Sequence, residues 1–270
     1  MKVTVIITTY NSPGMLKSVL NGYMNQTELD FELIIADDGS TDDTKRLIRE
    51  YMAKKKIKEL IHCWQKDEGF RAGKIRNKAV MQAKGDYLIF SDGDCVPHSN
   101  LVERHKRYAE INFFLAGNRI LLGKEFSRYI VENNKIINSF TFIELMRSFF
   151  KRDINRLIPL VYLPSNLLRY RRSREWRGVK TCNLSLWKKD FEKINGFDET
   201  YEGWGLEDSD LAIRLINSGV LHKSLKFAAP VFHLWHPENS RDLFNKNLST
   251  LEEALRSKRK SALKGIYKNA

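Results

Sequence analysis

The first 64 residues alternate between two hydrophobic periods, and this alternation restricts the fold more than any other feature of the chain. Val3-Thr4-Val5-Ile6-Ile7-Thr8-Thr9 is short and rich in β-branched residues, which predicts a central strand. Tyr10-Asn11-Ser12-Pro13 interrupts it, with Ser12 suited to cap a helix and Pro13 to its first position. Met15, Leu16, Val19, Leu20, Tyr23 and Met24 then recur at helical spacing. Phe31-Glu32-Leu33-Ile34-Ile35-Ala36 predicts a second strand, ending at Asp37-Asp38-Gly39-Ser40. A helix over residues 42–55 follows, capped by Ser40 or Thr41 and acidic in its first turn. Residues 57–64 predict a third strand. Strand, helix, strand, helix, strand is the pattern of an α/β protein whose parallel sheet is covered by helices.

Tyr87-Leu88-Ile89-Phe90 predicts another buried strand, and it runs into Ser91-Asp92-Gly93-Asp94. Ligands of open α/β sheets bind at the carboxyl ends of the strands. Two ionised carboxylates that close repel each other, so they call for a cation or solvent between them. A divalent metal carrying a diphosphate is one reading; a polar turn is the other, since Asp-Gly is an ordinary turn pair. Upstream, Arg71, Lys74 and Arg76 crowd the start of a predicted helix that runs to Ala83. That makes either an anion site or three exposed cations.

The chain has 270 residues and a net charge of +13. Residues 147–180 carry +8 and residues 241–270 carry +5, so two stretches hold the whole excess. Such a surface attracts an anionic membrane face or nucleic acid, or is simply solvated. No recognised nucleic-acid motif accompanies it, so no nucleic acid is expected. Three scattered cysteines, Cys63, Cys95 and Cys182, form neither a disulfide framework nor a zinc motif, which favours a reducing compartment. No leader and no bilayer-spanning run is legible, so a cytoplasmic location is expected.

Beyond the second acid of the Asp-Gly-Asp turn, residues 100–108 predict a polar helix and residues 113–122 a strand. Residues 126–170 mix Phe140, Phe142, Leu145, Met146, Phe149 and Phe150 with Arg147, Lys151, Arg152 and Arg156. An amphipathic basic helix lying on a membrane and an ordinary helix packed on the core both fit. Asn183-Leu184-Ser185 opens a strand or helix, and residues 191–197 a short helix ending at Gly196. Tyr201-Glu202-Gly203-Trp204-Gly205-Leu206-Glu207-Asp208-Ser209-Asp210 sets two glycines around a tryptophan and three acids in the first turn of a helix. Those acids suit the helix dipole; equally, they suit a general base beside a clamp for hydroxyl groups, with Trp204 as a platform for a sugar ring. His233 and His236 follow a strand-like run and are candidate metal or phosphate ligands. A capping box at residues 249–252 predicts a last helix with Leu251, Leu255, Ala262 and Ile266 along one side.

Together Val5-Ile6-Ile7-Thr8-Thr9-Tyr10-Asn11, Ala36-Asp37-Asp38-Gly39-Ser40, Arg76-Asn77 and Asp92-Gly93-Asp94 resemble the nucleotide-sugar half of family 2 glycosyltransferases. Gly203-Trp204-Gly205-Leu206-Glu207-Asp208-Ser209-Asp210 resembles the acceptor half shared with β-1,4-galactosyltransferases and bacterial chondroitin-polymerase-like enzymes. The resemblance covers about residues 1–120 and 178–240. It implies a GT-A fold over 1–245, with a basic, aromatic insert at about 121–177 and a basic amphipathic helix over 246–270. It implies transfer, with inversion, of a hexose or N-acetylhexosamine from a UDP-sugar to a glycan or lipid-linked glycan, as in bacterial surface polysaccharide synthesis. Thr8, Tyr10, Asp38, Arg71, Arg76 and Asp92 would bind the nucleotide sugar. Asp94, with Asp92 and His233, would hold Mn²⁺ or Mg²⁺, and His236 is the second choice. Asp208 would be the base, Glu207 would hold the acceptor, and Trp204 and Gly205 would contact a sugar. The basic segments would rest on the anionic inner leaflet. Leu206 and Ser209 depart from the galactosyltransferase motif, which has glycine and a third acid there. The rivals are a basic membrane- or nucleic-acid-binding protein without transferase activity, and a nucleotidyltransferase of related fold.

Overall fold

Consecutive side chains of a strand point to opposite faces of its sheet, and the first strands use both faces. In a computed structural model, which describes residues 1–165 and 167–267, Val3–Thr9 (β1) buries Val3, Val5 and Ile7 on one side and Ile6 on the other. Glu32–Asp37 (β2) and Tyr87–Asp92 (β4) divide their residues in the same way. Both faces therefore need a helical cover, as near-continuous apolar strands imply. Pro13–Met24 (α1) and Asp42–Ala53 (α2) cover the first face with Leu16, Leu20, Tyr23, Ile48 and Tyr51. Ala72–Gln82 (α3) covers the second with Ile75, Ala79 and Val80.

The sheet is completed by Glu59–Trp64 (β3), Phe113–Ala116 (β6), Leu184–Trp187 (β8) and Leu221–Ser224 (β9). Its seven strands lie in the order β3-β2-β1-β4-β8-β6-β9. All pairings are parallel except those of β8, which runs against both of its neighbours. Register brings Thr8 level with Asp92, and Thr9 level with Asp37, at one edge. A small second sheet stands beyond that edge. In it Cys95–Pro97 (β5) pairs with Val231–His233 (β10), and β10 pairs with Arg119–Leu121 (β7). Leu101–Tyr108 (α4), Lys124–Glu132 (α5), Phe142–Phe150 (α6), Lys188–Lys193 (α7), Glu207–Asn217 (α8) and Phe244–Arg256 (α9) complete the chain. Among the described residues no helix is long and apolar enough to cross a membrane.

Three expectations change. The run over residues 113–122 is two strands, in different sheets. The break falls at Gly117, where a Cβ would stand 2.4 Å from the Asn183 amide. Asn183, itself buried, donates to the Asn118 and Ala229 carbonyls and so holds the bend. The capping box of residues 249–252 does not open a helix: α9 begins five residues earlier, and Ser249 Oγ donates back to Asn245 O. Tertiary contact decides its start, because buried Asn247 donates to the Glu202 and Gly205 carbonyls. Nor does a helix extend over 246–270. It stops at Arg256, after which Lys258 adopts φ 50° and Arg259 is drawn to Asp210 at 3.1 Å. The following residues strap across the α7–α8 connection through Ala262 N to Ile194 O and Leu263 N to Asp198. Residues 166 and 268–270, included in the expected insert and tail, lie outside the described residues.

Candidate active site

Arg76 is the centre of the carboxyl edge. It lies one turn into α3 and is only 3 % exposed. Its Nε donates to Thr8 Oγ1 at 2.8 Å, Nη2 to Asp92 at 3.0 Å, and Nη1 to Glu207 at 3.1 Å. One planar guanidinium thus joins β1, β4 and α8, a geometry a lysine ammonium cannot reproduce. Burial works against its charge, but the two carboxylates prevail and raise its pKa.

Two residues on, the chain returns Asp94 to the same edge. Gly93 is needed between the acids: its N–H donates to Thr8 O at 2.7 Å, and a Cβ would stand 2.9 Å from Thr9 Oγ1. Asp94 meets both candidate histidines, with His236 Nε2 at 3.2 Å and His233 Nε2 at 3.7 Å. His233 arrives through register, opposite Cys95 in the small sheet. His236 Nδ1 lies 2.7 Å from Pro237 O, which fixes that nitrogen as a donor.

The acidic motif separates its members. Leu206 takes φ 78°, a left-handed conformation, immediately before α8. Glu207 turns to Arg76, whereas Asp208 turns to Lys180 Nζ at 3.3 Å. Asp210 faces inward to fully buried Arg214 at 2.7 Å, so its role is structural. Trp204 lies against Phe244 with ring centres 6.3 Å apart, under the Arg241 guanidinium.

A cavity of about 320 Å³ is lined by Tyr10, Asp38, Phe70, Trp204, Ser240 and Leu243, among others. Asp38 is held by Gln65 Nε2 and by the Arg71 backbone N–H, and Tyr10 donates to Asp67. The Arg71 side chain does not point with these residues; it pairs with Glu68 at 2.7 Å. The Gly205 carbonyl accepts from Asn247. Lys180, Gln65 and Asp67 are absent from the sequence-based set. Lys180 sits inside the basic stretch and carries no positional signal of its own.

Residues 4–174 match the sequence profile of glycosyl transferase family 2. The chain belongs to this family. Residues 165–237 also match the profile described as the N-terminal domain of galactosyltransferase. The chain is 29 % identical over 228 residues to validoxylamine A glucosyltransferase of Streptomyces hygroscopicus subsp. jinggangensis, covering 81 % of this chain and 52 % of that protein. It is 27 % identical to the hyaluronan synthase of Pasteurella multocida, covering 83 % of this chain and 24 % of that one. It is 26 % identical to the chondroitin synthase of Escherichia coli, covering 89 % and 36 %. The chain spans from about a quarter to about half the length of these relatives.

Among solved structures it is similar to S. aureus TarS, with TM-score 0.65, 18 % identity, and coverage of 94 % of this chain and 40 % of that one. It is also similar to the mannosyltransferase PcManGT from Pyrobaculum calidifontis in complex with GDP-Man and Mn²⁺. There the TM-score is 0.62 at 17 % identity, covering 94 % and 64 %. The chain thus has the GT-A fold.

The electrostatics of the family 2 site follow from these contacts. Burial lifts the Asp92 carboxyl; Arg76 opposes the lift and the Asp94 charge adds to it, leaving it raised to about 6. Burial and the Asp208 charge raise Glu207 against the pull of Arg76. Asp94 is lowered, because the His236 hydrogen bond and the His233 charge outweigh its burial. The hydrogen bond to Asp94 raises His236, and burial lowers His233. Asp94, Cys95 and His233 offer ligand atoms that all lie within 4.8 Å of one another, and His236 adds an imidazole 3.2 Å from Asp94; carboxylate and imidazole donors suit a divalent ion such as Mn²⁺.

Proposed function

We propose that the chain is an inverting, Mn²⁺- or Mg²⁺-dependent transferase. It moves a hexose or N-acetylhexosamine from a UDP-sugar to a hydroxyl of a glycan or lipid-linked glycan in bacterial surface polysaccharide synthesis, at the inner face of the cytoplasmic membrane. The observation that carries this reading is the Arg76 hub, which ties Asp92, beside the candidate metal ligands, to Glu207, beside the candidate base. Solved relatives of the same fold are described with UDP, UDP-GlcNAc or GDP-Man, which supports a nucleotide-sugar donor.

In this reading Tyr10 and Asp38 receive the uracil and ribose in the cavity that they line with Trp204. Thr8 and Arg76 face the diphosphate, and Arg71 reaches it by leaving Glu68. Asp94, His236 and His233 would hold the divalent ion, with Asp92 beside them; the ion would stabilise the charge that develops on the leaving diphosphate. Glu207, oriented by Arg76, accepts a hydrogen bond from an acceptor hydroxyl. Asp208 takes the proton of the attacking hydroxyl, with Lys180 Nζ standing 3.3 Å from that carboxylate. The acceptor oxygen displaces UDP from the opposite face of the anomeric carbon, so the configuration inverts.

Two measurements test this. Thermal melting with UDP, with and without Mn²⁺, should rise only when both are present. Asp208→Asn should keep that shift but lower UDP release by about 10²–10⁴-fold, the usual loss for a general base. Near-normal turnover of the folded variant would remove Asp208 from the mechanism.

A further inference from the structure

Helix α6 turns its apolar side outward. At 3.6 residues per turn, Phe149, Phe142, Met146, Phe150 and Ile143 fall within an arc of about 120°. Phe142 is 65 % exposed, Ile143 64 % and Phe150 74 %. Leu145, outside that arc, is the helix's one buried residue. A helix that stabilises its own domain does the reverse and faces its apolar stripe to the core. Nor is this helix a frayed one. Thr141 and Glu144 form a complete capping box, with Thr141 N donating to Glu144 at 2.7 Å and Glu144 N to Thr141 Oγ1. The first turn is therefore fixed while the apolar arc stays in water.

Cations border the arc. Arg147 lies at its edge, and Lys151, Arg152 and Arg156 follow it, all exposed. Of the nearby carboxylates, Glu125 pairs with Arg128 and Glu144 with its own cap, and Asp153 sits within the cationic turn against the four cations Arg147, Lys151, Arg152 and Arg156. The patch is also anchored beside the site. Leu122 bridges to Ile154, and Asn155 exchanges hydrogen bonds with Leu121 in β7. β7 in turn lies next to the strand that carries His233.

We propose that α6 and the cationic turn after it dock on an anionic lipid surface. The helix lies in the interface, with Phe142, Ile143 and Phe150 below the headgroups and Arg147, Lys151 and Arg152 among them. Outward aromatic and aliphatic side chains with cations at their border are the composition of an interfacial helix. Charge complementarity selects the anionic lipid as occupant. The C-terminal basic stretch is not the docking element. Leu251, Ala254 and Ala262 face inward, the exposed Leu255, Leu263 and Tyr267 are split between α9 and the strap after it rather than gathered on one helix face, and Arg259 is spent on Asp210. The inference concerns binding alone and stands whichever donor and acceptor the site takes.

Flotation of the full chain tests it, using phosphatidylcholine vesicles with and without phosphatidylglycerol. The wild type should float with the anionic vesicles and stay behind with the neutral ones. Phe142→Gln/Ile143→Gln should lower partitioning by about tenfold or more, since each change removes a large apolar group from the interface. Lys151→Glu/Arg152→Glu should lower it by about tenfold or more on anionic vesicles, at roughly fivefold per cation lost. Both pairs are exposed, so thermal midpoints should stay at the wild-type value. Arg256→Glu/Lys258→Glu should change partitioning less than about twofold. Three results would overturn the proposal: no difference between the two vesicle types, loss of flotation only in the C-terminal variant, or a concentration-dependent dimer that Phe142→Gln/Ile143→Gln abolishes while lipid binding is absent. UDP release from the donor in the presence of a soluble acceptor is measured alongside, so failure of docking and failure of the transferase reading are separate results.

Discussion

Replacing Arg76 with Gln removes the charge that Asp92 and Glu207 share while keeping a donor within reach of Thr8. Breaking a buried ion pair from one side costs about 3–5 kcal/mol, because the carboxylate left behind has no counter-charge. The side chains of Asp92 and Glu207 retain 30 % and 13 % exposure, so water can partly replace the guanidinium, chiefly at Asp92. The lower part of the range, about 3 kcal/mol at pH 7, is therefore expected. Arg76→Lys keeps the charge but not the three-way fork, and should lose about half as much. Urea unfolding in the presence of EDTA measures both without a contribution from metal binding. The pH dependence supplies a sign. Both carboxyls are already raised in the native protein, and loss of Arg76 raises them further above their unfolded values. A raised carboxyl destabilises the fold as pH rises through the window in which it ionises, so the deficit of the variant should shrink from pH 7 to pH 5. A loss below about 1 kcal/mol at pH 7, the scale of a surface pair, or a deficit that grows on acidification would refute the shared-charge argument.

Two other positions give independent tests. His105 is fully buried between Ser185 Oγ and Asn183 Oδ1, and burial lowers its pKa to about 4 from the ordinary 6.5. The unfolded state then binds the extra proton between these values, so stability should be full above pH 6.5 and fall towards pH 4, by at most ~3 kcal/mol. His105→Gln should flatten that slope in urea melts, and an unchanged slope would show that other groups set it. Leu206, at φ 78°, occupies a conformation that glycine adopts freely and β-branched residues resist. Leu206→Gly should stay within about 1 kcal/mol of the wild type, whereas Leu206→Val should lose at least about 1 kcal/mol more. Equal stability of the two variants would mean that the turn relaxes.

What was legible beforehand was whatever short-range pattern encodes. The strands β1, β2 and β4 and their covering helices follow from period and β-branching, and parallel pairing then places Thr8, Asp38 and Asp92 along one edge. The break at Gly117 was not legible, because its cause is the approach of Asn183 from 66 residues away. The start of α9 is set by Asn247 on the Gly203–Gly205 turn, which outweighs the local signal of Ser249 and Glu252. At the site, two histidines near a strand end were a usable signal. Both stand beside Asp94, His236 at 3.2 Å and His233 at 3.7 Å, and of the two His233 shares a set of mutually close ligand atoms with Asp94 and Cys95. Lys180 was hidden for a simpler reason. One cation within a stretch of +8 has no pattern to distinguish it, and only its position opposite Asp208 does so.

The two departures from the galactosyltransferase motif can now be read physically. Leu206 changes the side chain but keeps the left-handed backbone, so Glu207 still enters α8 facing Arg76. Ser209 donates its backbone N–H to Asp208 at 2.8 Å, with its hydroxyl at 3.5 Å from the same oxygen. A carboxylate at 209 would stand beside Asp208 and compete for Lys180, whose Nζ lies 3.3 Å from it. Like charges this close repel each other. With serine there, Asp208 keeps Lys180 and the Ser209 N–H as partners without a competing charge beside it. The departures therefore leave the backbone of the acidic turn intact and move the change into the charge around Asp208, the part of the site that meets the acceptor in the proposed reaction.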